Sequence, residues 1–174
     1  MKKYKVFILI IFFFTLTNYS YSQNIVYADL QNIISNSEVG KKIISYFSEK
    51  NKKLIDEFKV KEKAIIDKEQ SLISQKSILQ SDEYINKVKQ IENEIKNFNT
   101  NRKEKINKIN LEKEEISKSF RIEINKILKE FAESNNIDII LSSNQMLIGK
   151  SNLDVTNELL KIVNEKIKNF NIKK

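Results

Sequence analysis

Residues 37–135 contain no Pro, a single Gly and only one cluster of turn-forming residues, and this stretch decides what the chain can build. With nothing to interrupt a helix, the default is very long helices. The one break falls at Leu79, Gln80, Ser81 and Asp82. Before it, apolar residues recur every seven positions at Ile44, Phe58, Ile65, Leu72 and Leu79, with Asn51 the one polar member. A second line holds Phe47 and Leu54, then turns polar at Lys61, Lys68 and Gln75. Two such lines form the seam along which one helix packs on another. After the break, Ser81 with Asp82 and Glu83 behind it is a helix start, a cap followed by acids in the first turn. The stripe resumes at Tyr84, Ile85, Val88 and Ile91. From Ile95 to Phe131 it advances 36 residues in ten steps, the period of a nearly straight helix. Helices over residues 38–80 and 82–135, joined by so short a break, run antiparallel. The first would reach roughly 60 Å at 1.5 Å per residue.

The flanks read differently. Residues 24–30 are β-branched and apolar, a strand, and Asp29 can cap a short turn over residues 31–35. Ser37 and Glu38 then open the first long helix. After Asn135 and Asn136, residues 137–142 are strand-like, Ser143 and Asn144 turn-like, and Met146, Leu147 and Ile148 a further short strand ended by Gly149. Asp154 and Thr156 cap a last helix with Leu159, Leu160, Ile162, Val163 and Ile167 on one broad face. The predicted fold class is mainly α with a small β head (α+β). A long antiparallel coiled-coil hairpin, residues 42–136, is inserted into a strand-containing oligomerisation head, residues 23–41 and 137–174.

Residues 1–22 read as a cleaved signal peptide. Lys2, Lys3 and Lys5 precede an apolar run over residues 6–14, and Ser20, Tyr21 and Ser22 place a cut before Gln23. A membrane-spanning helix needs about 20 apolar residues. Here the run is short of that, and no Cys stands near the cut for lipid attachment. The exported product would carry a formal charge lowered by the three lysines, from +8 to +5.

Composition removes most chemistry. The chain has no Cys and no His. That excludes thiolate nucleophiles, histidine bases and the usual zinc sites, so no catalytic residue, metal ligand or cofactor is predicted. Two Gly leave little for phosphate-cradling loops. Between residues 50 and 115 there are 16 Lys or Arg and 13 Asp or Glu. So slight a surplus gives at most weak contact with acidic membrane surfaces and does not suggest nucleic acid.

A head of 57 residues in two pieces is near the lower limit for a stable core, and its short strands present open edges. Pairing of heads between chains answers both problems. The hairpin seam weakens toward the tip, where Ile73, Ile78, Tyr84 and Ile85 cannot all face the partner helix. Exposed apolar groups on an arm suit low-specificity contact with a client. Fraying of ordinary seam residues is the alternative.

The order of these elements behind a signal peptide resembles the Skp/OmpH family of periplasmic chaperones. The likeness is carried by residues 25–34 with residues 37–41 (including Gly40 and Lys41), by residues 131–141, and by the helix start at Asp154, Val155 and Thr156. The resemblance implies a trimer joined through its heads, with arms enclosing a cavity that holds unfolded outer-membrane proteins without ATP. Ile25, Tyr27, Ile139, Leu141 and Ile148 are then the candidate interface residues. Phe58, Ile65, Leu72, Ile78, Tyr84 and Ile85 are the candidate client contacts. Family arms are often strongly basic. This arm is nearly balanced, which shifts client binding toward apolar contact. A structural stalk docking one fixed folded partner is the alternative function.

Overall fold

The structure, a computed structural model, describes residues 23–172, so the predicted signal peptide lies outside the described residues. The fold is α+β. Strand β1 (Ile25–Ala28) leads into helix α1 (Leu30–Asn36), then the long helices α2 (Glu38–Ser74) and α3 (Ser81–Ser134). Strand β2 (Ile139–Ser142), two single 3-10 turns and helix α4 (Thr156–Lys166) complete it. At 1.5 Å per residue α2 spans about 55 Å and α3 about 80 Å.

The starts of α1 and α2 follow from local capping, whereas α3 begins at Ser81 itself, with Gln80 at the cap position and no side-chain cap, so the expected Ser81 cap is not formed. Asp29 accepts from the Asn32 amide, and Ser37 from the Gly40 amide. Each satisfies a backbone donor that the first helical turn leaves free. Longer-range bonds lock these starts to the far end of the chain. The Asp29 amide donates to Thr156 Oγ1 at 2.8 Å, and the Glu38 amide to Asn164 Oδ1 at 2.9 Å.

Four further expectations are corrected. Helix α2 stops at Ser74 rather than at residue 80, and a turn over residues 75–80 replaces its last part. Ser71, Ser74 and Ser77 weaken the helix there, and the Ser74 hydroxyl bonds back to the Ser71 carbonyl. Ile44 is 57% exposed, and Ile43 takes its place in the seam beside Phe47, Phe58 and Leu72, which stand there as expected. Ile106, counted in the straight seam of α3, also stands at its exposed edge. Finally, residues 146–148 form no strand. β1 and β2 pair in parallel, with Ile25 opposite Ile139 and Tyr27 opposite Leu141. The other edge of β1 is met near Asp154, where the Val155 amide donates to the Tyr27 carbonyl at 2.9 Å. A parallel pair needs a long crossover, and here the helical hairpin is that crossover.

The core does not stop at the predicted head boundary. Ala28, Ile33 and Val39 pack in one cluster with Phe47, Phe120, Ile124 and Phe131 from the base of the hairpin and Leu159 and Val163 from α4. The C-terminal tail closes over it, the Phe170 ring meeting Phe120 edge-on at 5.3 Å. The hairpin base therefore supplies much of the apolar mass that 57 residues alone would lack.

Candidate functional site

Two surfaces stand out, one on the sheet and one on the arm. Side chains alternate across a strand. Val26 and Ala28 point inward and are buried. Ile25, Tyr27, Ile139 and Leu141 share the outward face, adjacent in register. Ile139 is 42% exposed and Leu141 38%. Parallel sheets are ordinarily covered on both faces. This one leaves an apolar face open, with Leu147 and Ile148 fully exposed beside it on the loop that packs Gly149 against the Tyr27 ring. Four of the five predicted interface residues thus come together on one face, and Ile148 lies on the adjoining loop.

The arm has two unlike flanks. Among the described residues three ion pairs cross between α2 and α3: Lys50–Glu112, Lys105–Glu57 and Lys68–Glu94. Along α2 their residues are spaced by 7 and 11, intervals that return to the same side of a helix. They therefore define one flank. Tyr46 strengthens the pair nearest the head, donating to Glu112 at 2.9 Å while accepting from Lys50 at 3.3 Å. The Lys50 hydrogen bond, foremost, holds the Glu112 carboxyl below its ordinary 4.5, against the burial that pushes it up. Lys105 and then Lys61 do the same for Glu57. The bond to Glu112 raises Lys50 above 10.5.

The signs of these shifts fix a pH window. A lowered carboxyl stabilises the hairpin above pH 4.5 and loses its effect as pH falls through the lowered value; the raised Lys50 stabilises below pH 10.5 and fades as pH rises through its own. Glu112→Gln is expected to lose up to about 1 kcal/mol at pH 7, a modest value because solvent screens the half-open pair. The variant should converge on the wild type in thermal unfolding as pH falls through the lowered Glu112 value, where the wild-type carboxyl takes up its proton. A deficit that stays the same over that fall would contradict the ion-pair account.

The six predicted client contacts separate by burial. Phe58 and Leu72 are buried in the seam, at 6% and 7% exposure. Phe58 meets Phe98 edge-on at 6.0 Å, with the Arg102 guanidinium 5.6 Å from its ring centre. Ile65 and Tyr84 are half-buried, whereas Ile78 and Ile85 are exposed. Phe58→Ala is expected to cost about 3 kcal/mol by emptying the middle of the seam. Protease cleavage should then concentrate near residue 58 while the sheet end stays intact. Unchanged stability with weaker client binding would instead make Phe58 a contact residue.

The opposite flank escaped the heptad reading. Residues 41–44, 52–55 and 63–66 read KKII, KKLI and KAII, eleven apart, and residues 70–73 follow as QSLI. In each, the third residue (Ile43, Leu54, Ile65, Leu72) turns into the seam. The fourth is left out: Ile44 at 57% exposure, Ile55 at 51%, Ile66 at 44% and Ile73 at 67%. An eleven-residue period holds the sequence signal that a search for sevens passes over.

Among the described residues no group of three or more acidic, His or Cys side chains could hold a metal, and no helix is long and apolar enough to cross a membrane. The geometry defines a class: a small parallel two-stranded sheet whose crossover is a helical hairpin projecting far past the shared core. The sequence model described as "Outer membrane protein (OmpH-like)" matches residues 24–163. The chain belongs to the OmpH-like family. Its fold is similar to that of a crystal structure from Caulobacter crescentus described as an OmpH-like outer membrane chaperone. The TM-score is 0.79 at 11% identity, covering 86% of this chain and 89% of that one. No curated protein sequence matches the chain.

Proposed function

We propose that the protein is an ATP-independent periplasmic holdase: residues 23–41 and 137–174 join copies into a trimer, and the arms of residues 42–136 hold unfolded outer-membrane proteins out of aggregation. The observation that carries this reading is the open apolar sheet face of Ile25, Tyr27, Ile139 and Leu141 at the base of a hairpin that exposes further isoleucines along its length. The first surface suits a permanent contact between copies, and the second suits many weak contacts. Membership of the OmpH-like family and the fold shared with a protein described as an outer membrane chaperone support it. Export after removal of residues 1–22 fits the same role. Holding a chain unfolded and still releasing it calls for contacts that are individually weak, which a sparse apolar arm provides.

The test dilutes a urea-unfolded β-barrel protein into buffer with a molar excess of residues 23–174. The client is expected to stay soluble without nucleotide. Aggregation at the rate seen without the protein rejects the proposal, and capture of one folded partner in its place would make the arm a stalk.

A further inference from the structure

The repeated flank of α2 has a chemistry of its own. The spacings of 11, 11 and 7 residues that link Ile44, Ile55, Ile66 and Ile73 return to one side of the helix. That side lies about 150° around the axis from the ion-paired line, at 100° per residue, with the seam between them. Three residues before an isoleucine, one turn away on the same surface, stand Lys41, Lys52 and Lys63. All three are exposed, and among the described residues none takes part in an ion pair. The acids that face α2 from α3, Glu94 and Glu112, are engaged on the other flank.

We propose that this flank is the client-binding line of the arm, a row of isoleucine–lysine stations whose occupant is an unfolded chain carrying apolar side chains near acidic ones. The inference rests on the holdase reading and says which side of the arm does the holding. Spacing decides the occupant. Eleven residues of helix separate neighbouring stations by about 16 Å. A docked helix presents apolar residues every three or four positions and would find nothing under most of them. A flexible chain can place one apolar side chain at each station and slip between stations. Each free ammonium beside an isoleucine favours a carboxylate next to the client's apolar group.

The experiment compares three forms of residues 23–174 for binding a fluorescently labelled, urea-unfolded β-barrel protein after dilution. Ile44, Ile55, Ile66 and Ile73, all to Ser, remove the line. Val60, Leu111 and Ile122, all to Ser, remove exposed apolar groups that lie off it (70%, 57% and 47% exposed). The line variant should bind at least about tenfold more weakly with unchanged helix content and oligomer mass, and the control should bind like wild type. A line variant that binds and protects as well as wild type overturns the inference while leaving the holdase reading intact. A line variant of altered oligomer mass also overturns it, because the flank would then cover a second copy. Failure of wild type itself to protect removes both. Lys41, Lys52 and Lys63, all to Gln, should weaken binding several-fold at low salt and little at about 0.5 M, where charge is screened. An equal loss at both would contradict the part given to charge.

Discussion

Gly40→Ala is expected to lower the thermal unfolding midpoint by about 10 °C, from a loss of at least about 3 kcal/mol. A Cβ at position 40 would lie 1.7 Å from the Ile34 carbonyl oxygen and 2.9 Å from Ser37 Oγ. The nearer atom is backbone at the end of α1, so no side-chain rotation relieves the clash. The contact sits where α1 turns into α2, with Ser37 fully buried and accepting from the Gly40 amide at 3.2 Å. Making room means opening that turn. It would pull Ile33 and Val39 out of the cluster they form with Phe120 and Leu159. The comparison is made at equal protein concentration, since association would itself raise the midpoint. An Ala variant that unfolds at the wild-type temperature would show that the α1–α2 junction is not packed as described.

Ile139→Asp is expected to dissociate the oligomer, weakening association on the order of a thousandfold. The carboxylate would stand on the outward sheet face, opposite Ile25 and two residues from Leu141. Covering that face with another copy would bury a charge with no partner, a cost of several kcal/mol. The protomer should still fold, because Ile139 is 42% exposed within it. Client protection should fall with the oligomer. Ile122→Asp, on an exposed side of α3, is the control and should leave the mass unchanged. A trimer that survives Ile139→Asp would move the interface elsewhere.

Much of the architecture was written in local signals. Asp29 and Ser37 announce their helices because capping is decided within four residues, and the 3.6 period of residues 95–131 is a property of one straight helix, even with Ile106 at its exposed edge. Errors arose where a choice depended on the partner. Ile43 and Ile44 are equally apolar neighbours, and only the position of α3 decides which one is buried. Residues 146–148 carry strand-forming side chains, but backbone near Asp154 had already met the free edge of β1, 127 residues along the chain from its Tyr27 neighbour. The interface candidates could be picked from the strands, yet their gathering on one open face follows from the parallel register, which no single strand encodes. The eleven-residue repeat was present in the sequence throughout, and its meaning lies in which isoleucine of each pair the seam leaves out.

The account depends above all on the open sheet face being completed by other copies. Sedimentation equilibrium of residues 23–174 across micromolar concentrations measures this directly. It should return three times the protomer mass, and a single protomer mass over the whole range would contradict it.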